Sequence, residues 1–341
     1  MVNQRDVARR AGVSPRTVSN VLRDFHYVSE PVRARVRAAM DELGYRPNIA
    51  ARQLRQGRTG LLTLVVPFDA PYFAELSDQV IKVAREHGLT VVIDKTDGDP
   101  DREREMVLRP DRTALFDGLI FSLDGLDERE LTDLRPRLPM VLLGERADIS
   151  GEFDRIVFDN LAAARAATEH LLGLGRRRIA LIRSGVGVAA GPMDRHQGYL
   201  QALEAAGLPA DEELIKNAPG TRADGYRAML ELMAADVPPD AVVCHNDPCA
   251  LGAIRALLTH GYRVPEDVAV VGFDDITDGR YSVPSLTTIA QDREQIARRA
   301  VETIVARLDG DAGDPTTVWV DWELIAREST LGRSASPATP E

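Results

Sequence analysis

The polar residues that follow Ser14 have the types and the spacing to contact the edges of nucleic-acid bases. At 100° per residue, a helix that starts at Pro15 separates its apolar residues from its polar ones. The apolar side consists of Val18, Val21 and Leu22, and the polar side of Arg16, Ser19, Asn20 and Arg23. Arg and Asn are the residue types that read guanine and adenine edges in the major groove. A solvated polar helix face is the alternative interpretation, and the charge of this segment disfavours it.

A second group of chemically capable residues follows short apolar runs in the rest of the chain. It consists of carboxylates, amides, a hydroxyl and aromatic rings: Phe68, Asp69, Tyr72, Phe73, Ser122, Glu145, Asp159, Asn160, Asn246, Asp247, Phe273, Asp274 and Asp275. Aromatic rings stack on flat ligands, while Asp and Asn accept and donate hydrogen bonds to hydroxyl groups. These residues predict a site for a polyhydroxylated or heterocyclic ligand. The alternative is that Asp and Asn after strands act only as helix N-caps.

Other patterns in the chain give weaker indications of chemistry. The run from Gly185 to Gly191 resembles a dinucleotide-binding loop, but its spacing is GxGxxxG, so we expect a flexible loop that can still bind a phosphate. Cys244, His245 and Cys249 offer poor tetrahedral geometry, which favours core cysteines and no metal site. Neither Gly-x-Ser-x-Gly nor His-Glu-x-x-His occurs, so hydrolase chemistry has no support in the sequence, and we predict no enzyme activity and no cofactor. The competing class is a pure ligand-binding or enzymatic domain with an incidental basic N-terminal segment, and a nucleotide-dependent enzyme is a third possibility.

The first 58 residues, called here the head, oppose the charge of the remaining residues, called the body. The head contains 12 Arg, no Lys and 5 acidic residues, which gives it a net charge of +7. Because the whole chain carries −11, the body carries −18. A basic head on an acidic body predicts that one end alone binds a polyanion.

The composition of the chain limits its class. A length of 341 residues with 44% hydrophobic content predicts about two or three domains. No apolar run reaches the ~18 residues of a membrane span, and the N-terminus lacks the apolar region of a signal peptide. Two cysteines rule out a disulfide framework and suit a reducing compartment. We therefore expect a cytoplasmic protein without membrane contact.

The head is predicted to begin with two short helices. Asn3 can cap the first helix, and Gly12 can end it in the left-handed conformation. Ser14 can cap the second helix, with Pro15 at the first helical position. Two helices joined by a turn of about three residues that contains Gly are typical of the helix-turn-helix motif.

A third helix and a short linker complete the predicted head. The helix begins at Ser29 and ends at Gly44, with a single apolar stripe formed by Val32, Val36, Met40 and Leu43. Pro47 blocks its continuation, and Asn48 can cap a further helix only two turns long. Because so short a helix is unstable alone in water, we expect it to order only when something binds it, as a switch.

The body alternates short apolar runs with longer amphipathic stretches. The apolar runs are Leu61–Val66, Thr90–Asp94, Gly118–Ser122, Pro139–Leu143, Ile156–Phe158, Arg178–Ile182, Ala241–Cys244 and Val268–Gly272. This alternation predicts parallel sheets covered on both faces. About ten strands over roughly 270 residues fit two doubly wound lobes better than one sheet. Ligands of such sheets bind at the carboxyl ends of the strands, where the second group of polar residues falls.

Four stretches of the head together form a highly specific pattern. They are Asp6-Val-Ala-x-x-Ala-Gly-Val-Ser14, Thr17-Val-Ser-Asn-Val-Leu22, Gly44-Tyr-Arg-Pro-Asn48 and Ala51-Arg-Gln-Leu54. This pattern resembles the DNA-binding head of the lactose and galactose repressor (LacI/GalR) family. The resemblance implies a dimer on a palindromic operator, with Arg16 and Asn20 reading bases and Leu54 wedged into a minor-groove base step. The implied DNA-binding residues are Ser14, Pro15, Arg16, Thr17, Ser19, Asn20, Arg23, Asn48, Ala51, Leu54 and Arg55. Many members carry Arg at the position of Asn20 and a bulky residue at that of Pro15, so the operator sequence does not transfer.

The body contains further stretches of the same kind. They are Tyr72-Phe-Ala-Glu75, Asp117-Gly-Leu-Ile120, Gly173-Leu-Gly-Arg-Arg-Arg-Ile-Ala180, Arg195-x-x-Gly-Tyr199, Asn246-Asp247, Val271-Gly-Phe-Asp-Asp275 and Leu286-Thr-Thr-Ile289. They are similar to the periplasmic-binding-protein-type core of that family, to about Arg333. The resemblance implies effector-binding residues at Phe68, Tyr72, Phe73, Phe158, Arg195, Asn246, Asp274 and Gln291. Relatives that bind sugars often carry Trp or Phe where this chain has Gly220-Thr221.

The predicted fold is an N-terminal all-α helix-turn-helix head plus an α/β periplasmic-binding-protein-like core of two doubly wound parallel-sheet lobes. We expect a DNA-binding domain at 1–46, a hinge helix and linker at 47–59, the core at 60–333 and a disordered tail at 334–341. Within the core, the N-lobe takes about 60–160 and 291–320, and the C-lobe about 161–290 and 321–333. The tail holds no leucine heptads for a tetramer, so a homodimer is expected.

The predicted function is that of a sequence-specific DNA-binding transcriptional regulator, more narrowly a repressor. A small molecule bound between the lobes, a sugar or sugar derivative, would control its affinity for double-stranded operator DNA. The alternatives are a binding protein for a nucleoside or phosphorylated ligand, and a regulator that depends on a co-repressor.

Overall fold

The chain divides into two compact units, Met1–Thr59 and Gly60–Glu341. The computed structural model describes residues 2–22, 25, 27–45, 58–68, 70–108, 114–123, 125–126, 128–134, 138–144, 152–184 and 191–332. Within this described part, no helix is both long and apolar enough to cross a membrane.

The first unit contains three helices in its described residues: α1 (Gln4–Ala11), α2 (Pro15–Leu22) and α3 (Glu30–Glu42). Asn3 caps α1 in a reciprocal capping box with Asp6, and Gly12 ends it at φ +65°, as the sequence predicts. Val7, Val18 and Val36 come from the three helices and are fully buried together. The predicted three-helix head is therefore confirmed over these residues.

The start of α3 is held by Arg33 and not by the side chain of its N-cap residue. Ser29 occupies the N-cap position, but its side chain makes no capping hydrogen bond. Pro31 lies in the first turn of α3, where a missing N–H costs nothing. Arg33 instead holds the preceding turn, because its guanidinium donates to the carbonyl of Phe25 at 2.6 Å and to that of Val28 at 3.2 Å.

The second unit alternates strands and helices. Its strands are β1 (Leu61–Val65), β2 (Thr90–Asp94), β3 (Gly118–Phe121), β4 (Met140–Leu143), β5 (Asp154–Val157), β6 (Ile179–Arg183), β7 (Ile215–Asn217), β8 (Ala241–Cys244), β9 (Ala269–Phe273), β10 (Thr287–Gln291), β11 (Thr317–Trp319) and β12 (Trp322–Ile325). Its helices are α4 (Pro71–Glu86), α5 (Pro100–Leu108), α6 (Glu128–Leu134), α7 (Asn160–Gly173), α8 (Gly191–Ala205), α9 (Arg222–Met233), α10 (Asp247–Thr259), α11 (Thr277–Arg280), α12 (Arg293–Leu308) and α13 (Glu328–Leu331), with a 3₁₀ turn at Glu212–Leu214.

The strands form two six-stranded sheets. One has the order β11-β5-β4-β3-β1-β2 and the other the order β12-β10-β9-β8-β6-β7. Every pair in the first sheet is parallel. The second sheet is parallel except for the edge pair β10 and β12. Two mainly parallel sheets confirm the predicted doubly wound lobes, and the antiparallel edge was not predicted.

The chain crosses between the two sheets three times within the described residues. It leaves the first sheet after β5, returns after β10, and crosses again between β11 and β12. Helix α12, which follows β10, packs on α4, β3, β4 and β5 in the N-lobe. Helix α7, which follows β5, packs on α8, β8, β10 and β12 in the C-lobe. The residues at these crossings therefore lie where the lobes meet.

Candidate functional sites

Helix α2 presents a polar face because its apolar residues are fixed against α1 and α3. Val18 and Val21 are buried. Ser14 holds the first turn, since its Oγ accepts the backbone N–H of Thr17 at 3.0 Å. Ser14, Pro15 and Arg16 are exposed, whereas Thr17, Ser19 and Asn20 are half-buried. A helix with one buried valine side thus displays the predicted polar residues on its other side.

Five predicted DNA-contacting residues lie outside the described part of the chain. They are Arg23, Asn48, Ala51, Leu54 and Arg55. Asp69 and Glu145, named among the residues after apolar runs, lie outside it as well.

In the second unit, an arginine and two aromatic rings meet at strand ends of both lobes. Phe158 follows β5 of the N-lobe sheet, and Phe273 ends β9 of the C-lobe sheet; their ring centroids are 6.1 Å apart. The Cζ of Arg195, on α8, lies 3.8 Å from the ring centroid of Phe273. Arg195 Nε donates to Asn160 Oδ1 at 2.8 Å, and its Nη1 donates to the carbonyl of His245 at 2.5 Å. A cation anchored over an aromatic ring can bind a polar ligand and stack against its flat face.

Asp274 and Asp275 follow β9 in an unusual backbone conformation. Their φ angles are +111° and +52°, in a region that residues with a Cβ rarely adopt. The carboxylate of Asp275 is held by Arg327 at 2.6 Å and by Arg280. The backbone N–H of Asp274 donates to the carbonyl of Ile289 at 2.8 Å. The Asp274 carboxyl is therefore carried on a turn that contacts within the C-lobe help to hold.

The other predicted effector-binding residues occupy several positions around this cluster. Tyr72 and Phe73, in the first turn of α4, make an edge-to-face contact at 5.1 Å and pack against the core that includes Phe158 and Phe273. Gln291 ends β10 and is buried, and its Oε1 has no hydrogen-bond partner among the described residues. Phe68 is 46% exposed and shares no aromatic contact with them within that part of the chain.

Asn246 acts as a helix N-cap, which was the alternative interpretation of Asn and Asp residues that follow strands. It caps α10, because its Oδ1 accepts the N–H of Cys249 at 2.9 Å. Its Nδ2 donates to the carbonyl of Gly220 at 3.0 Å. Gly220 has φ +128°, and a Cβ there would lie 3.2 Å from Asn246 Nδ2. The amide is thus placed at the strand end and engaged at both of its polar atoms.

Asp247 has a structural role in the C-lobe next to the site. It is fully buried, and its carboxyl oxygens accept from Thr288 Oγ1 at 2.6 Å and from the N–H of Ile276 at 2.8 Å. Burial raises the pKa of Asp247 well above its ordinary value, and the nearby Asp274 adds to the effect. Gly272 leaves the necessary space, since a Cβ there would lie 2.2 Å from Asp247 Oδ1.

The two cysteines lie in the hydrophobic core, where the sequence predicts them. Cys244 and Cys249 are both free and buried in the C-lobe core. Burial raises the pKa of the Cys249 thiol to about 12. Among the described residues, no group of three His, Cys, Asp or Glu side chains has the arrangement of a metal site.

The two units match two protein-family models. Residues 4–48 match the model of bacterial regulatory proteins of the lacI family, and residues 168–330 match a periplasmic binding protein-like domain. Over 333 residues the chain is 33% identical to the HTH-type transcriptional repressor PurR of Yersinia pestis bv. Antiqua (strain Antiqua), covering 96% of this chain and 97% of PurR. The chain belongs to the lacI family of bacterial regulatory proteins.

Solved structures of similar proteins agree with membership of the lacI family. The complex of the transcriptional regulator CelR with cellobiose is 31% identical, with a TM-score of 0.70 over 96% of this chain and 100% of CelR. The Lac repressor dimer bound to operator and the anti-inducer ONPF is 27% identical, with a TM-score of 0.79 over 97% of this chain and 99% of that one. This lacI-family chain is therefore a DNA-binding transcriptional regulator that an effector controls.

The contacts that His245 and Asn160 make with Arg195 were not predicted from the sequence. His245 was considered only as a metal ligand, yet it is buried and its carbonyl holds Arg195. Burial, together with the charge of Arg195, lowers the pKa of His245 to about 3, so the ring is neutral. Asn160 lies where the chain passes from the N-lobe to the C-lobe after β5. It is 1% exposed, and its side chain accepts a hydrogen bond from Arg195. The signal for both was their position, since His245 directly follows β8 and Asn160 begins the helix after β5.

Proposed function

We propose that this protein represses transcription by reading an operator with α2 in the major groove. Arg16 supplies a guanidinium for a guanine edge, and Asn20 supplies an amide for an adenine edge. The observation that carries the proposal is the polar face of α2, with Arg16 exposed and Asn20 half-buried, opposite the buried Val18 and Val21. This face lies on a head of net charge +7. The remaining residues of the reading surface are Ser14, Pro15, Thr17, Ser19 and Arg23, whose polar groups and backbone suit bases and phosphates.

The proposed hinge is residues 47–59, between a DNA-binding domain at 1–46 and the core at 60–333. Asn48, Ala51, Leu54 and Arg55 are assigned to the minor groove, with Leu54 as an apolar wedge between base steps. The support is the combined motif of the head and its match to the lacI family model over residues 4–48. A two-turn helix gains order from DNA, which makes the hinge the element through which the core acts.

For the core, we propose a polyhydroxylated effector bound between the lobes. Arg195 is held by partners at the N-lobe crossing and on the C-lobe, and it lies over Phe273, so one cation faces the point where the lobes meet. Asp274 brings a carboxyl to the same strand ends. Cation, carboxylate and aromatic rings together suit a sugar, whose hydroxyl groups pair with charges while its apolar face stacks. The other assigned contacts are Phe68, Tyr72, Phe73, Phe158, Asn246 and Gln291.

The effector class is proposed to be a carbohydrate or a sugar derivative. CelR, a relative at 31% identity, is described in complex with cellobiose. At the Gly220 loop this chain carries no aromatic platform, and a side chain there would crowd Asn246. The aromatic rings of the proposed site come from Phe158 and Phe273 instead, and the missing platform disfavours a simple hexose.

A homodimer on a palindromic operator is proposed as the working form. The Lac repressor relative is described as a dimer bound to operator. Two heads double the number of phosphate contacts, and the spacing of half-sites then follows the symmetry of the dimer.

The DNA part of the proposal is tested by selecting binding sites from a random duplex library with the full-length protein. The expected result is a palindromic sequence whose enrichment is lost in the variant Arg16→Ala with Asn20→Ala. Selection of a single unrepeated half-site would refute the dimer, and no enrichment at all would refute sequence-specific reading.

The ligand part is tested by thermal unfolding of the full-length protein with cellobiose, other disaccharides, hexoses, sugar phosphates and nucleosides. A ligand at 100 times its Kd adds about 2.7 kcal/mol to the stability of the domain that binds it. Stabilisation by a sugar that Arg195→Ala abolishes supports the proposal. If only nucleosides or sugar phosphates stabilise the protein, the effector belongs to one of those classes and is not a simple carbohydrate.

A further inference from the structure

A hydrogen bond from a backbone N–H joins the two lobes beside the proposed effector site. The backbone N–H of Thr277, the first residue of α11, donates to Glu75 Oε1 at 2.9 Å. Glu75 lies on α4 of the N-lobe, one turn after Tyr72 and Phe73. Ile276 occupies the N-cap of α11 and has no side chain that can cap it. The N-lobe therefore supplies the capping group that the C-lobe helix lacks.

An arginine extends this bridge to the turn that carries Asp274. Arg293, the first residue of α12 in the N-lobe, pairs with Glu75 Oε2 at 3.2 Å. The same guanidinium donates to the carbonyl of Asp274 at 2.6 Å and to that of Asp275 at 3.1 Å. One planar side chain thus engages a carboxylate of its own lobe and two consecutive carbonyls of the other.

Arg293 donates to the two residues of the turn whose backbone conformation is unfavourable. Asp274 and Asp275 both have positive φ, and such residues persist only when surrounding contacts hold them. The C-lobe holds the Asp275 carboxylate from its own side through Arg327. Arg293 holds the two carbonyls from the other lobe. The orientation of the Asp274 carboxyl therefore depends on both lobes.

We propose that Glu75 and Arg293 form an interlobe clasp that positions the Asp274 turn, so that opening the lobes and displacing Asp274 are one event. They are positioning residues and need not touch a ligand. Their side chains are 29% and 16% exposed, so solvent screens their interaction less than it screens a surface pair. The role given to Asp274 rests on the proposed function, whereas the clasp itself consists of contacts between residues of the core.

The same two helices provide a matched control. Glu86, near the end of α4, pairs with Arg298 of α12 at 3.2 Å. This pair joins α4 to α12 within the N-lobe, and its side chains are 46% and 39% exposed. Within the described part of the chain, neither side chain bonds the C-lobe. Glu86→Gln therefore removes an ion pair between the same helices without touching the clasp.

The test is residue-resolved hydrogen exchange of the full-length, ligand-free protein and its variants. In Glu75→Ala, the amides of Asp274, Asp275 and Thr277 should exchange about tenfold faster, the effect of losing one hydrogen bond to a charged group. Glu75→Gln keeps an acceptor for Thr277 but loses the ion pair, and should give a smaller increase. Arg293→Lys should accelerate Asp274 and Asp275 most, because one ammonium cannot reproduce the planar fork. Glu86→Gln should leave all three amides unchanged.

Two results would overturn the clasp. Acceleration confined to Thr277 in Glu75→Ala would mean that Glu75 only caps α11 and does not position the Asp274 turn. Equal acceleration of these amides and of the cores of β9 and α4 would mean general destabilisation. Because the test uses no ligand, failure of cellobiose and the other sugars to bind would count against the carbohydrate effector and leave the clasp standing.

Discussion

At the scale of single residues, Arg195 is held in place by contacts with other residues of the core. Its Nε bonds Asn160 Oδ1 at 2.8 Å, its Nη1 bonds the carbonyl of His245 at 2.5 Å, and its Cζ lies 3.8 Å from the ring centroid of Phe273. A side chain fixed in this way loses little conformational entropy when a ligand binds. This arrangement makes Arg195 the residue most sensitive to substitution in the proposed effector site.

We predict that Arg195→Ala lowers the affinity for the effector at least tenfold, because a hydrogen bond to a charged group contributes about 1.5–3 kcal/mol. The measurement is titration calorimetry with the sugar that gives the largest thermal shift. Arg195→Lys should recover only part of the affinity, since an ammonium cannot make both bonds and stack on Phe273. Operator binding by the ligand-free protein should be unchanged in both variants; its loss would mean that Arg195 is structural.

A second prediction at this scale concerns His245, whose pKa is lowered to about 3 by burial and by Arg195. In the unfolded chain the ring takes up a proton near pH 6.5, so the folded state loses stability as pH falls below that value. At pH 5 the loss is about 2 kcal/mol. His245→Asn should remove this part of the pH dependence, measured by urea unfolding at pH 5 and pH 8. Asp247, with a raised pKa, contributes the opposite trend in both proteins and cancels in the comparison.

Equal pH slopes for the wild-type protein and His245→Asn would show that His245 has the same pKa in the folded protein as in the unfolded chain, and is not held neutral by burial. A ring that titrates near pH 6.5 in the folded protein by NMR would show the same.

Residue types were predictable from the sequence, but their burial was not. Asn246 and Asp247 are neighbours and look equally suited to a ligand, yet Asp247 is fully buried. Its partner Thr288 is 41 residues away in the sequence, on a strand that reaches it only in the folded lobe. No local pattern reports such a contact, and the same is true of the bond between Arg195 and Asn160.

At the scale of elements, α9 and α10 pack so closely that glycine is required where they touch. A Cβ at Gly225 would lie 2.1 Å from the carbonyl oxygen of Cys249, and one at Gly252 would lie 2.0 Å from that of Arg222. Both obstacles are backbone atoms, which cannot move aside as a flexible side chain can. The start of α10, with Asn246 at its cap, is thereby fixed at the strand end.

We predict that Gly252→Ala lowers the free energy of unfolding by about 1–3 kcal/mol or more, through backbone displacement of α9 against α10. Gly173→Ala is the matched control: Gly173 is the last residue of α7, and a Cβ there meets nothing within 4 Å. The control should be stabilised by about 0.5–1 kcal/mol, because alanine loses less backbone entropy. Urea unfolding measures both, and similar values for the two variants would contradict the close packing.

The apolar runs predicted eight strands, displaced by up to two residues at their ends, whereas β7, β10, β11 and β12 were not predicted. Strands β7 and β11 have only three residues each, too few to show a pattern. In β10 the buried residues include Thr287 and Thr288, whose hydroxyls bond Thr330 at 2.7 Å and Asp247 at 2.6 Å. A strand whose buried positions are polar does not show the apolar signature on which the prediction depends.

At the scale of the whole molecule, the separation of charge decides how the protein meets DNA. The head carries +7 and the body −18. Phosphate repels the body, so favourable contacts are confined to the head. The class of fold and the two-part organisation were predictable because charge, motif and alternation of strands each extend over many residues. The bonds between the lobes, such as that from Thr277 to Glu75, depend on single side chains and were not.

The last prediction separates the two kinds of DNA contact at this scale. The logarithm of operator affinity should fall linearly with the logarithm of salt concentration, with a slope of about −0.9 for each phosphate contacted. Arg16→Ala should cost roughly 1–3 kcal/mol against the preferred base and leave the slope unchanged, because a base contact releases no phosphate counterion. Fluorescence anisotropy over a salt series, with operators substituted at single positions, measures both quantities. A slope near zero in the wild-type protein would contradict DNA binding by the head. If Arg16→Ala lowers the size of the slope by about one and weakens binding to all sequences equally, Arg16 is a phosphate contact.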